Sequence, residues 1–206
     1  MYTPPAFRED DRASIHAAMR AAPFATLVTC GAEGLIGTPL PLLLDPGEGE
    51  FGTLVGHVAR ANPQWRGGTT EGLAVFTGPN AYVTPSWYAT KAETGKVVPT
   101  WNYVAVHASG PVEFFEDAGR LLDVVTRLTE LHEAARPEPW AVSDAPEAFV
   151  QSQLRGIVGL RMRIARLEGK RKLSQNRPAA DRAGVVAGLG ASEREGDRAV
   201  GRLIPD

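Results

Sequence analysis

One cysteine, Cys30, stands among 206 residues, which excludes an internal disulfide and, with it, the small disulfide-stapled scaffold of many secreted domains. Cys30 closes the apolar run FATLVTC and is expected to be a buried structural thiol in a reducing, cytoplasmic setting. No apolar run reaches the roughly 20 residues that a membrane-spanning helix needs. The opening MYTPPAF lacks the basic start and following apolar stretch of a secretion signal. A soluble protein with no membrane partner is therefore expected. Positive charge is not in excess either: the net charge of −2 argues against a chain that neutralises nucleic-acid phosphates along its whole surface. Also missing are GxGxxG after a strand, GxxxxGK[ST], HExxH and CxxC, so the dinucleotide, P-loop and zinc readings lose their main support. Four histidines are too few and too scattered for a metal centre. His16 and His132 fall in helical stretches and are expected to be solvated, whereas His57 and His107 end or line strands beside polar residues.

What is present is an apolar content of 43%, enough for a full core. Asp11 to Ala22 reads as a short helix with acidic residues at its start and Pro23 as its stop. FATLVTC and LIGTPLPLLL read as a hairpin turned at residues 31–34, its second strand irregular or at an edge because Pro39 and Pro41 lack the ladder N–H. Thr53 to His57 reads as a strand that leads to a short helical turn ended by Asn62-Pro63. LAVFTG and NAYV read as strand, break, strand. Period two from Trp101 to Gly110 puts Asn102, Val104, Val106 and Ala108 on one face and Trp101, Tyr103, Ala105 and His107 on the other. Asp117 to Ala135 is the strongest helix, with Leu121, Val124, Val125, Leu128 and Leu131 along one stripe. Strand alternation returns in IVGLRMRIARLEG, and helices follow Pro178 and Ser192. Many short strands with few helices and no βα alternation predict a mainly β, antiparallel barrel with helical additions. Residues 1–170 are expected to form the barrel, with 171–206 a polar loop and helical extension packed on it.

Three constellations carry chemistry. In GHVARANPQW, a strand ending at His57 turns into a helical start where free N–H groups and Arg60 suit an anion; equally, Arg60 could pair with a surface carboxylate, Asn62 cap a turn and Trp65 pack. Late in the chain, Arg155, Arg161, Arg163, Arg166, Lys170, Arg171, Lys172 and Arg177 fall within 23 residues. Inside that stretch, EGKRKLSQNR offers Lys172 and Arg177 as cations and Ser174, Gln175 and Asn176 as hydroxyl and amide partners; a solvated basic loop is the bland alternative. Thirdly, PSWYATK and VPTWNYVAVH place Ser86, Trp87, Tyr88, Trp101 and Asn102 close in sequence. They read as an aromatic wall suited to a planar ring or to a subunit interface.

These segments, in order, resemble the PaiB family of FMN-binding split-barrel proteins, described as negative transcriptional regulators. The resemblance runs through MYTPPAF, FATLVT, GHVARANPQW, FTGPNAYVTPSWY, VPTWNYVAVHASG, GIVGL and KLSQNR. It implies a split β-barrel related to pyridoxamine-phosphate oxidases and flavin reductases, a homodimer, and FMN bound at its interface. By position it puts the FMN phosphate near His57, Arg60 and the Lys172 to Arg177 loop, with Trp87, Tyr88, Trp101 and Asn102 along the ring or ribityl chain. Two positions depart from the family pattern. Thr38-Pro39-Leu40-Pro41 stands where Thr-His-Leu-Pro is usual, and Asn80 where His is frequent, so two imidazoles are missing from the site region.

Three functions compete. A flavin-linked regulator would let FMN bias a dimer toward a DNA or protein partner, although no helix-turn-helix is evident. An FMN-dependent oxidoreductase would position the ring for hydride or electron transfer, with Tyr88 and His107 the best proton donors on offer. A dimeric interaction module with no flavin is the third.

Overall fold

Residues 1–31 and 34–205 are described in the computed structural model of the chain. Its elements are β1 (Arg8–Glu9), α1 (Arg12–Ala21), β2 (Phe24–Gly31), β3 (Gly34–Pro41), β4 (Leu43–Asp45), β5 (Thr53–Ala59), β6 (Thr70–Val83), α2 (Ala89–Thr94), β7 (Thr100–Phe115), α3 (Ala118–Glu133), α4 (Glu147–Leu154), β8 (Ile157–Arg163), β9 (Arg166–Lys172), α5 (Ala179–Gly190) and α6 (Glu195–Gly201). Strand pairing is antiparallel in the registers defined for β1–β9, β2–β3, β2–β6, β4–β5, β5–β8 and β7–β8. The mainly β class with helical additions is thus the one the sequence predicts. The turn expected at residues 31–34 includes Ala32 and Glu33, which lie outside the described residues. No described helix is long and apolar enough to cross a membrane.

Two compact units are built from interleaved segments: Met1–Ala21, Thr77–Val106 and Glu168–Asp206 form one, and Ala22–Phe76 with His107–Leu167 the other. We call them the first and second unit.

In the second unit the strand order is β3-β2-β6-β7-β8-β5-β4. β3 lies at the end of this order, and its Pro39 and Pro41 oppose Thr26 and Phe24, as the missing proline N–H requires. Alternation sends Ala25, Leu27 and Thr29 of β2 inward. Cys30 takes the opposite face and is exposed, which corrects the expectation of a buried thiol: parity along the strand outweighs the apolar character of the run. Gly72 is required by crowding, since a Cβ there would stand 2.4 Å from the Val112 side chain. Against this sheet α3 packs Leu121, Val124 and Leu128 onto Val55 and Phe115, with Leu154 of α4. Each such side chain contributes about 1.5–3 kcal/mol by leaving water. Asp117 caps α3 by accepting the Arg120 N–H at 2.8 Å. Leu131, placed by periodicity on the buried stripe, is instead exposed, in the last turn of α3.

The first unit pairs β1 with β9 and β9 with β7. Its core gathers Val83, Tyr88, Val104, Leu173, Val185, Leu189 and Val200. The Asp11 carboxylate receives the Ser14 and Ala13 N–H groups at 3.0 and 3.3 Å, and these bonds hold its pKa below the ordinary value. His16, expected in water, is 5% exposed, because it neighbours the buried Ile15 on the inward side of α1.

Two further expectations change. β6 is one continuous fourteen-residue strand, with no break at Gly78-Pro79. Asn62 begins rather than ends the short helical turn: β5 continues to Ala59, and a 3-10 turn over Pro63–Gly67 follows with Asn62 as its cap and Pro63 at its first position.

Candidate functional site

Ten of the thirteen residues singled out from the sequence lie in the first unit and three in the second, and the two groups differ in how their polar atoms are engaged.

In the second-unit group, Arg60 and Asn62 are engaged within the unit. Arg60 donates from Nε to the Arg155 carbonyl at 2.7 Å, from Nη2 to the Ile157 carbonyl at 3.3 Å, and from Nη1 to the Glu116 carboxylate. Its guanidinium also lies 5.8 Å from the Trp65 ring centre, and the Trp65 indole donates to the Arg60 carbonyl at 2.9 Å. Asn62 accepts the Gln64 N–H and donates to Thr38 Oγ1, both at 2.9 Å. Gln64, overlooked in the sequence, is 3% exposed; its amide nitrogen lies within 3.1–3.2 Å of the Leu27 carbonyl, the Thr29 hydroxyl and the Ile36 carbonyl. His57 opposes Gly159 across the β5–β8 pair. Opposed residues project to one face, and a Cβ at Gly159 would meet the Phe115 ring at 2.3 Å, so His57 shares the face that Phe115 covers. Its Nδ1 has no hydrogen-bond partner, and burial holds its pKa below the ordinary value.

The first-unit group is built on the end of β9 and the loop beyond it. Lys170 and Lys172 are two apart on one strand and share a face. Lys170 is 8% exposed; its ammonium donates to the Tyr2 carbonyl at 3.0 Å and lies 5.8 and 5.2 Å from the Tyr2 and Tyr103 ring centres. Lys172 donates to the Thr100 hydroxyl. Burial pushes its pKa down, Tyr103 opposes this, and the charges of Lys170 and Arg177 add to the lowering. Arg177 is placed by its N–H bond to the Ser174 carbonyl at 2.9 Å, with its guanidinium 4.8 Å from the Tyr88 ring centre. No ion pair with a carboxylate is found for Lys170, Lys172 or Arg177 among the described residues. Between these cations, Ser174 is held at φ 61°, a left-handed conformation costly for a residue with a Cβ. Its hydroxyl lies 2.9 Å from Asn102 Nδ2 and 3.3 Å from Asn102 Oδ1, and Asn102 is fully buried. Gln175 turns back on the chain, accepting the Leu173 N–H at 2.7 Å and donating to the Arg171 carbonyl. Asn176 follows in the same turn and is exposed.

The aromatic residues divide. Tyr88 is buried; burial raises its pKa, the Arg177 charge and hydrogen bond oppose the rise, and the Asp181 charge adds to it. Trp87 faces α5: a Cβ at Gly188 would stand 2.3 Å from its ring, and one at Gly184 would stand 1.9 Å from its carbonyl oxygen. Trp101 is 50% exposed and meets Tyr82 edge-on, ring centres 6.1 Å apart. The wall expected from Trp87 and Trp101 is therefore two separate features, because Trp87 turns toward a helix about 100 residues later in the chain. Ser86 is exposed and accepts from Lys91 at 3.1 Å. Asp181, also unmarked by the sequence, is 1% exposed and fixes α2 by accepting from Thr90 N and Oγ1 at 2.9 and 3.0 Å. The spacing Gly184-x-x-x-Gly188 was the available sign that an aromatic side chain would lie on α5.

Comparison with known proteins decides the family. Residues 1–166 match the family described as "Putative FMN-binding domain". The chain belongs to this FMN-binding family. Within it, the Bacillus subtilis protein named protease synthase and sporulation protein PAI 2 is 32% identical, over 100% of this chain and 97% of that protein. An uncharacterised protein of Aspergillus fumigatus is 42% identical, over 67% of this chain and 66% of that protein. Among solved structures, flavocytochrome Anf3 from Azotobacter vinelandii superposes with a TM-score of 0.58 at 14% identity, covering 80% of this chain and 69% of that one. The FAD and heme binding protein of Mycobacterium smegmatis gives 0.54 at 15%, covering 80% and 73%. These likenesses show a shared split-barrel fold class. The protein is thus an FMN-binding protein of the PaiB type, as its sequence resemblance implies, and FMN is its cofactor. The residues present fit that group: cations lacking carboxylate partners among the described residues suit a phosphate.

Proposed function

We propose that Lys172 and Arg177 receive the FMN phosphate, that Lys170 adds to the positive field, and that Asn102 and Ser174 hold the loop that presents them. The observation that carries this reading is Lys172, whose ammonium feels the positive charges of Lys170 and Arg177 and no carboxylate. Bringing like charges together is costly unless an anion joins them. Arg60 and Asn62 are already engaged, so they serve packing and turn formation in this reading. When bound, FMN supplies hydride or single-electron chemistry; the chain binds and orients it.

The protein acts, on this reading, as a flavin-linked regulator of the PaiB type whose homodimer responds to FMN. The exposed, edge-on Tyr82 and Trp101 support a self-interface, since such aromatics anchor contacts between subunits. The test is a visible-absorbance titration with FMN and with riboflavin. FMN should bind tightly, and riboflavin, lacking the phosphate, more weakly. Equal affinities would remove the phosphate seat. Steady oxidation of NADH or NADPH by the flavin-loaded protein would transfer the assignment to an oxidoreductase.

A further inference from the structure

In the second unit, α3, the 3-10 turn Val142–Asp144 and α4 enclose a groove of about 530 Å³ that the flavin reading does not use. Leu122, Val142, Ala145 and Val150 give it apolar walls, and Glu130 and Glu147 are its only charged lining residues. Large apolar side chains are also exposed on and between the elements that form the groove. Leu131, Trp140 and Phe149, each next in sequence to a lining residue, are 46%, 49% and 56% exposed. The segment that runs past the groove is acidic: from Glu130 to Glu147 the chain carries Glu130, Glu133, Glu138, Asp144 and Glu147 against Arg136, and Arg136 is paired with Glu133 at 2.9 Å.

We propose that this groove docks a basic amphipathic helix of a partner polypeptide. Three observations choose the occupant. A small molecule filling the cavity would leave Leu131, Trp140 and Phe149 in water, so an elongated partner is needed to cover both. The walls are helical and offer no free strand edge, so recognition must come from side-chain anchors rather than from added main-chain pairing. The acidic rim selects lysine and arginine at the partner's borders and repels acidic segments and anionic membrane surfaces. Trp140 and Phe149 are the residue types that anchor such contacts, and the partner's apolar residues at i, i+3, i+4 and i+7 enter the groove.

The test uses the full chain and a fluorescein-labelled, helix-forming peptide of leucine and lysine, with leucines at those spacings, followed by anisotropy. A matched peptide with glutamate in place of lysine is the control. The lysine peptide should bind, and weaken as salt rises because the rim charges are exposed. Phe149→Asp should reduce its affinity about tenfold or more, and Glu130→Lys with Glu147→Lys about fivefold at low salt. FMN titration of each variant checks that the fold persists. Equal binding of the two peptides, no binding of the lysine peptide, or indifference to Phe149→Asp would overturn the proposal. So would sedimentation showing that Phe149→Asp dissociates a self-associated protein, since the face would then be covered by a second copy.

Discussion

Arg60 and Arg177 look alike in the sequence, each an arginine in a polar stretch at the end of a strand, yet the structure treats them oppositely. Arg60 binds one carboxylate and two carbonyls within its own unit. Arg177 lies over a tyrosine ring beside two lysines. A guanidinium whose donors are taken is a structural strut, whereas one held among like charges has capacity left for an anion. The contrast teaches that composition identifies cations but only their partners identify a ligand site.

Six substitutions, in four comparisons, break or sharpen this contrast. The largest effect is expected from Gly184→Ala, which removes the packing beneath the first-unit loop. The added Cβ meets the Trp87 carbonyl oxygen, backbone that cannot swing aside, and urea unfolding should show a loss of about 3 kcal/mol. Next, Arg177→Ala should weaken FMN about tenfold or more while leaving riboflavin nearly unchanged. Arg60→Ala should alter FMN affinity by less than about threefold and lower stability instead; the reverse ranking would refute the assignment of roles. Thirdly, Ser174→Ala leaves the buried Asn102 amide without its partner and keeps the left-handed backbone, for a loss of about 2 kcal/mol. Ser174→Gly loses the same bond but relieves the backbone, so it should be milder by about 1 kcal/mol; calorimetry of both variants compares them.

The smallest effect concerns pH. His57 is held neutral by burial, below its ordinary value of 6.5. The unfolded chain therefore binds this proton more readily than the folded one. The stability from a neutral His57 is full above about pH 6.5 and declines as pH falls toward the lower folded value. His57→Gln should flatten that part of the stability profile without changing FMN affinity at neutral pH. If FMN affinity instead falls sharply, the separation between the two groups of residues fails.

Much of the scaffold was legible. The alternation of β7, most of the α3 stripe, and the edge position of a strand with two prolines follow from local rules of parity, periodicity and missing donors. What escaped depends on partners distant in the chain. Trp87 reads as a ligand wall until Gly184 and Gly188 of α5 are brought against it, and Arg60 reads as an anion donor until Glu116 and the carbonyls near residue 156 arrive. Cys30 and His16 depart from expectation for a local reason: the face each takes on its element outweighs the character of the residue. The cation cluster was half visible. Lys172 and Arg177 stand out, but the approach of Lys170 to Tyr2 and Tyr103 joins residues far apart in the chain.

Gly188 has an evolutionary consequence. No amino acid is smaller than glycine, so every missense change there adds atoms to the space the Trp87 ring fills. The position can drift only if a smaller residue has first replaced the tryptophan, and that step leaves a cavity with its own cost of about 3–5 kcal/mol. Neither residue can take the first step cheaply, so the two are bound to descend together, and a lineage that has lost one is expected to show the loss of the other.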